Sequence, residues 1–420
     1  MTDEPPERGR PPSIPPPGDR SGDRRLDRPR SSAVSAGERQ TAAPEHAGDR
    51  PLTVLFAPDS FKGSLTSVEV AHALATGWRR ARPNDRLELS PLGDGGEGTL
   101  EAIAAAGGWE WQTTAVADPL GRPIDGRWLV SADGEAAVIE MAQASGLSRL
   151  HPDERDPVGA TSRGTGDLLR AALDAGISGL VLGIGGSATN DGGRGLLEAL
   201  GLEGKADAPD LSRLDPRLGQ VDLRVACDVT NPLLGRNGAA AVYGPQKGAA
   251  PEQVREIDDD LARWADALEA ATGRHERETP GAGAAGGVGF ALLCLRNRFR
   301  SFALRPGVEL VMEATGFEAK LTVADLVVTG EGRVDGQTAF GKTAAGVARR
   351  ARGAGKPCIT VGGGVEPEGI DALAALGAVV VPVVERAQSI EEAMAAGSAP
   401  LERCAERIAR LLSLTGSSVG

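Results

Sequence analysis

Histidine is scarce in this chain of 420 residues: His46, His72, His151 and His275 are its only four, scattered with no metal-ligand spacing among them. A zinc site therefore has no support. A histidine-based nucleophile triad is equally poorly supported, because Ser187, the one serine in a charged glycine setting, lacks the Gly-x-Ser-x-Gly strand-to-helix frame. Cysteine is as sparse, and Cys227, Cys294, Cys358 and Cys404 lie far apart, in or beside apolar runs, with no Cys-x-x-Cys pair. They read as buried thiols of a reducing cytoplasm. No apolar run approaches the ~20 residues that a membrane span needs. Positive charge is in deficit, with a formal net charge of −12, which argues against nucleic-acid partners. Small molecules are the partners left, and carboxylates and lysines must carry the chemistry.

The length allows two domains with real cores, and 40% hydrophobic content with 25% charge is that of a globular protein. Residues 1–50, rich in Pro, Arg, Asp, Ser and Gly, lack aliphatic periodicity and a signal-peptide apolar region. They read as a disordered tail, or as residues upstream of the true start codon. From Pro51 a strand, Leu52 to Ala57, leads to a helix with a capping-box spacing at Thr66-Ser67-Val68-Glu69 and apolar residues recurring from Val68 to Trp78. His72 and Trp78 belong to that helix as packing or surface residues. Strand-like and helical runs then alternate to a last helix expected over 389–412. The glycine cluster Gly281 to Gly289 reads equally as a linker between lobes or as a ligand loop.

Five segments share one logic, an apolar strand opening onto a small-residue loop that holds charge. Gly183-Ile-Gly-Gly-Ser-Ala-Thr-Asn-Asp-Gly-Gly193, after Leu180-Val181-Leu182, is the richest, with backbone N–H groups free to face an anion and one carboxylate, Asp191. The others are Asp59-Ser60-Phe61-Lys62-Gly63, Gly93-Asp94-Gly95-Gly96-Glu97-Gly98, Asp228-Val229-Thr230-Asn231-Pro232 and Gly330-Glu331-Gly332-Arg333-Val334-Asp335-Gly336. In parallel α/β sheets ligands sit beyond the carboxyl ends of strands, so such loops converge on one site. Carboxylates and ammonium groups together suit phosphoryl transfer, which needs cations on the transferred group and acids to hold Mg²⁺ or orient the hydroxyl. Gly336 to Thr343 also fits Gly-x-x-x-x-Gly-Lys-[Ser/Thr], the P-loop pattern. A P-loop follows its strand at once, whereas Gly330 to Asp335 intervene here after Thr329, so the match is set aside as a P-loop fold.

Taken together these loops resemble the bacterial type-1 glycerate kinases. The resemblance rests on Ala57-Pro58-Asp59-Ser60-Phe61-Lys62-Gly63-Ser64-Leu65, Pro91-Leu92-Gly93-Asp94-Gly95-Gly96-Glu97-Gly98-Thr99, Glu140-Met141-Ala142 and Gly183 to Gly193. It continues in Cys227-Asp228-Val229-Thr230-Asn231-Pro232-Leu233, Gly244-Pro245-Gln246-Lys247-Gly248, Arg305-Pro306-Gly307-Val308-Glu309 and Thr329-Gly330-Glu331-Gly332-Arg333, spanning about residues 52–412. It implies ATP-dependent phosphorylation of D-glycerate, with 2-phosphoglycerate the usual product. It also implies two α/β lobes with the substrate cleft between them. The chain departs from the family where Thr343-Ala344 stand for the usual Val-Pro after Gly-Lys, where Gly336 stands for Ser, and where Arg163 stands for an aromatic.

The expected fold is thus α/β and two-lobed: a discontinuous flavodoxin- or Rossmann-like parallel-sheet domain from residues 51–98 and 290–415, with a second α/β domain, 99–289, inserted in it. The expected activity is that of a cytoplasmic glycerate 2-kinase using ATP and Mg²⁺. A P-loop NTPase, a kinase of another small hydroxy acid and a non-catalytic nucleotide-binding regulator are the alternatives. Asp191 is expected as general base, with Lys62 and Asp59 catalytic. Gly185, Gly186, Ser187, Asn190, Arg333, Asp335 and Lys342 are expected to bind phosphate or substrate, Arg333 as a bidentate clamp on the carboxylate. Asp94 and Glu97 are expected to take the metal. The oligomeric state stays open, a homo-oligomer included.

Overall fold

The computed structural model describes residues 50–336, 338 and 343–414. The expected tail, apart from Arg50, lies outside them, as do Lys342 and most of the P-loop-like stretch. Two sheets carry the fold. Strands β1 (Thr53–Phe56), β2 (Arg86–Leu89), β3 (Trp109–Ala117), β4 (Pro123–Ser131), β5 (Ala136–Glu140), β6 (Gly179–Gly183), β7 (Glu203–Lys205), β8 (Ala208–Asp210), β9 (Asp222–Ala226), β10 (Ser301–Arg305), β11 (Leu326–Val334), β12 (Cys358–Val365) and β13 (Ala378–Pro382) follow in chain order. The first sheet, ordered β13-β12-β11-β1-β2, is parallel throughout. The second, ordered β10-β9-β6-β5-β4-β3, is parallel from β10 to β5 and antiparallel beyond. The strands β7 and β8 form a separate hairpin.

Strands covered on both faces read as continuous apolar runs. That is why Thr53–Phe56, Leu326–Val328 and Gly179–Gly183 were legible in the sequence. Helices Ser67–Ala81 and Ala399–Leu414 cover the outer face of the first sheet, where Val54, Phe56 and Val328 meet Leu74, Trp78, Leu401 and Ile408. The capping box forms as expected: the Glu69 N–H donates to Thr66 Oγ1 and the Thr66 N–H to Glu69 Oε2. Trp78 is fully buried, with its indole N–H on Asp85. Helices Arg163–Asp174, Pro251–Thr272 and Val288–Cys294 pack on the outer face of the second sheet. Between the sheets lies a further core, in which Leu55, Val327, Val138 and Val181 meet Leu100, Ile103, Val308, Val311 and Val347 from intervening helices. The sheets are joined by continuous apolar packing, beside which the cleft opens at the strand ends.

Three details depart from the sequence reading. Strand β10 pairs with β9, so the second sheet takes a strand from beyond residue 289, where the change of domain was expected. The last helix is two, Ile390–Ala395 and Ala399–Leu414, because Gly397 takes a left-handed φ of 60° between them. The cluster Gly281–Gly289 is no open linker: a Cβ on Gly286 would lie 1.9 Å from the Thr189 carbonyl oxygen, so the loop is packed against the one that follows β6.

Candidate active site

The carboxyl ends of β1 and β2 in one sheet and of β6 and β9 in the other open onto a single cleft of about 770 Å³. The two sets of loops touch directly. A Cβ on Gly183 would lie 2.3 Å from the Gly95 oxygen, and one on Gly185 2.7 Å from the Gly96 Cα. The glycines there permit backbone to rest on backbone. One hydrogen bond, from the Gly185 N–H to the Gly95 oxygen, ties the loops together at 3.3 Å.

Of the residues expected to act, the cleft brings together Lys62, Asp94, Glu97, Gly185, Gly186 and Ser187, with Asp59 just behind them. Lys62 Nζ stands 3.5 Å from Asp94 Oδ2, and the negative charges of Asp94 and Asp59 raise its pKa. Asp94 Oδ1 accepts the Gly96 N–H. Asp59 is almost wholly buried, and its oxygens accept from the Ser60 N–H and, at 2.6 Å, from the Thr343 hydroxyl. Burial first, and the charge of Asp94 second, push its carboxyl up to about 6.

Asp191, Asn190, Arg333 and Asp335 do not line the cleft. The Asp191 carboxylate is enclosed by donors: the N–H and hydroxyl of Ser162 at 2.7 and 2.8 Å, and the N–H groups of Gly193 and Gly195, both at 3.1 Å. It ties the start of helix Arg194–Ala199 to that of helix Arg163–Asp174. Asn190 is buried, its side-chain amide donating to the Pro157 oxygen while Oδ1 accepts from Lys247. Arg333 is exposed and pairs with Glu366 and Asp335.

Strand β11 runs to Val334, so all but Asp335 of the interval that had separated the P-loop-like stretch from its strand is itself strand. Thr343 opens helix Thr343–Gly353, with its hydroxyl on Asp59 at the end of neighbouring β1.

Residues 54–413 match the glycerate kinase family. A glycerate kinase of Halalkalibacterium halodurans is 44% identical to the chain, over 87% of it and 100% of the relative. A glycerate 2-kinase of Escherichia coli is 39% identical, over 88% of the chain and 100% of the relative. The chain belongs to the glycerate kinase family. A crystal structure from Salmonella typhimurium LT2, carrying the glycerate kinase 2 designation, superposes with a TM-score of 0.75 at 40% identity, covering 87% of this chain and 99% of that one. A kinase of this family uses ATP. No helix among the described residues is long and apolar enough to cross a membrane.

Two titratable groups that were not among the residues expected to act, Asp228 and Lys247, also line the cleft. Asp228 follows β9, half-buried, with Oδ1 accepting the Gly307 N–H at 3.0 Å. Burial, then the charges of Asp94, Asp59 and Glu309, push its carboxyl up to about 7. It was legible as the acid of one of the five strand-loop segments. Lys247 is 2% exposed, with Nζ donating to the Thr189 oxygen at 2.6 Å and to Asn190 Oδ1 at 3.3 Å. Burial pulls its ammonium down to about 7 against the charge of Asp191. Nothing in local sequence marks a lysine as buried, so only the fold exposes its role in bracing the glycine loop.

Proposed function

We propose that the chain transfers the γ-phosphoryl group of ATP to the C2 hydroxyl of D-glycerate, giving 2-phosphoglycerate and ADP. The observation that carries the reading is the meeting, in one cleft, of a glycine loop, an ammonium and an acid whose pKa lies near neutrality, within a chain of this family. Asp228 takes the proton of the attacking hydroxyl as the new O–P bond forms and the bond from the γ-phosphorus to the bridging oxygen breaks. An acid serves best as base when its pKa is close to the working pH. Asp191 is a poorer base, because donors already surround its oxygens. We therefore assign it to holding the glycine loop. Lys62 neutralises charge on the transferred group, and the backbone of Gly185, Gly186 and Ser187 cradles an anion. Asp59 ties the loop after β1 to the start of helix Thr343–Gly353.

The cleft holds more acid than base, with Glu69, Asp94, Glu97 and Asp228 against Lys62 and Lys247. Two anionic substrates would be repelled from it without a divalent cation. Among the described residues no three ligating side chains gather at metal distance. Magnesium is usually held by one or two carboxylates with phosphate and water completing its shell, so the donor set fits Mg²⁺, with Asp94 and Glu97 as its protein ligands. When bound it would screen the phosphates from these acids. We also read residues 51–98 with those after β10 as one lobe, the segment between as the other, and the cytoplasm as the location.

A coupled assay tests the product. Purified protein with ATP, Mg²⁺ and D-glycerate should yield material that enolase dehydrates with no phosphoglycerate mutase added. Signal only with the mutase would move transfer to C3, and ATP consumption with neither signal would overturn the substrate.

A further inference from the structure

Glu140 ends β5 with no exposed surface, and it lines no part of the cleft. A carboxyl is costly to bury, and an apolar side chain would fill the same space at lower cost. What it does instead is accept a hydrogen bond. Its Oε1 takes the Leu100 N–H at 2.6 Å. Leu100 is the second residue of helix Thr99–Ala105, whose cap residue, Gly98, has no side chain to satisfy that turn. On its other side Gln143 Nε2 lies 3.4 Å from Glu140 Oε2, and Gln143 Oε1 in turn accepts from Arg149 Nη2 at 2.7 Å. A relay of side chains in the second sheet's layer thus ends on the first turn of a helix packed between the sheets.

That helix begins where the loop Gly93–Gly98 ends. Four of the loop's six residues are glycine, so it has few side chains with which to fix itself: besides the Asp94 carboxylate, which holds the Gly96 N–H and pairs with Lys62, its placement comes from the Gly185–Gly95 bond and from the helix start, where Thr99 Oγ1 accepts the Gly95 N–H at 3.1 Å. We infer that Glu140 is a positioning residue for phosphoryl transfer: by holding the Leu100 N–H it fixes the helix start, and through it the placement of Asp94 and Glu97 against Gly185 to Ser187. The inference rests on the proposed part of Asp94 in the site. Burial pushes the Glu140 carboxyl up to about 8. A neutral acid and a primary amide offer the same carbonyl oxygen to the Leu100 N–H, so glutamine keeps the bond at issue and gives up only the 3.4 Å acceptor for Gln143 Nε2.

Hydrogen exchange and steady-state kinetics on the full chain decide it. In Glu140→Met, peptides covering residues 93–103 should exchange at least about tenfold faster, with helix Ser67–Ala81 and β11 unchanged. Under saturating ATP and Mg²⁺, kcat should fall about ten- to hundredfold while KM for D-glycerate stays within about threefold, as for a group that is displaced and not removed. Glu140→Gln should restore both readings to within about threefold of wild type. Should Glu140→Met fail to fold, Glu140→Asp, which withdraws the oxygens by one methylene, takes its place with the same expectations. Wild-type exchange over 93–103, an increase spread evenly over the chain, or Gln as damaging as Met would each overturn the inference. Asp94→Asn serves as the control: full kcat there would refute the part given to Asp94, while the exchange data would still show whether Glu140 fixes the loop.

Discussion

Replacing Asp228 with Asn keeps the side chain's size and its oxygen for the Gly307 N–H, and removes the group proposed to take the hydroxyl proton. Loss of a general base costs about 10²- to 10⁴-fold in kcat. The wild-type rate should rise about tenfold per pH unit below about 7 and level off above it, because burial and the neighbouring acids hold the carboxyl there. The variant should lose that limb. Stability should move the other way. The folded state binds the Asp228 proton more tightly than the unfolded chain does, so stability falls as pH rises between 3.8 and about 7, and the full cost is present above that window. At about 1.36 kcal/mol per pH unit, that window bounds the cost at roughly 4 kcal/mol. Partial solvent contact reduces it, and a gain of about 1–2 kcal/mol for Asp228→Asn at pH 8 is expected, shrinking to nothing near pH 4. Initial rates over pH 5–9 and denaturant midpoints at pH 4 and 8 measure both. A variant within threefold of wild-type kcat, or one no more stable at pH 8, would refute the assignment.

Asp191→Asn should act on folding more than on chemistry: an amide presents one oxygen to donors that now share two, and a loss of roughly 1–3 kcal/mol is expected. Thermal melts should show it, while kcat of the folded fraction stays within about tenfold of wild type. Lys62→Ala removes an exposed ammonium that neutralises phosphate, so kcat/KM for ATP should drop by about 10²-fold with little change in stability, read from ATP titrations beside a melt. Thr343→Val takes from Asp59 the hydroxyl bond that lowers its pKa. Turnover should fall less than about tenfold and return with Thr343→Ser, whereas a loss above about 10²-fold would mark the hydroxyl as a P-loop magnesium ligand.

The middle of the first sheet was readable because β1 and β11 are covered on both faces, and burial there imposes apolar runs such as Val54-Leu55-Phe56 and Val327-Val328. The antiparallel pair β3 and β4 was missed because most of Trp109–Ala117 is half-buried or exposed, with Val116 its one buried residue, and no tight two-residue turn joins the strands. Strand β10 escaped for a similar reason: Ser301–Arg305 holds no fully buried residue, and only its pairing with β9 assigns it to the second sheet.

Charge pattern found the loops, but not which of their acids face the cleft. A carboxylate after an apolar strand can point outward to a ligand or backward to cap a helix, and the local sequence is the same for both. Asp228 and Asp191 illustrate this. Each follows a strand of the second sheet, yet Asp228 meets one backbone N–H and the open cleft, while Asp191 meets three N–H groups and a hydroxyl. The difference lies in what surrounds them. Ser162, which supplies two of the donors to Asp191, stands 29 positions away in sequence, at the start of a different helix. Close glycine packing does not separate the cases either, since a Cβ on Gly195, beside Asp191, would lie 2.7 Å from the Arg163 nitrogen. Where a Cβ would meet backbone across the two sheets, as at Gly183 and Gly185, the glycine is needed for that contact, and it is this contact that brings Asp94 and Glu97 of one sheet's loops to the same cleft as Asp228 of the other's.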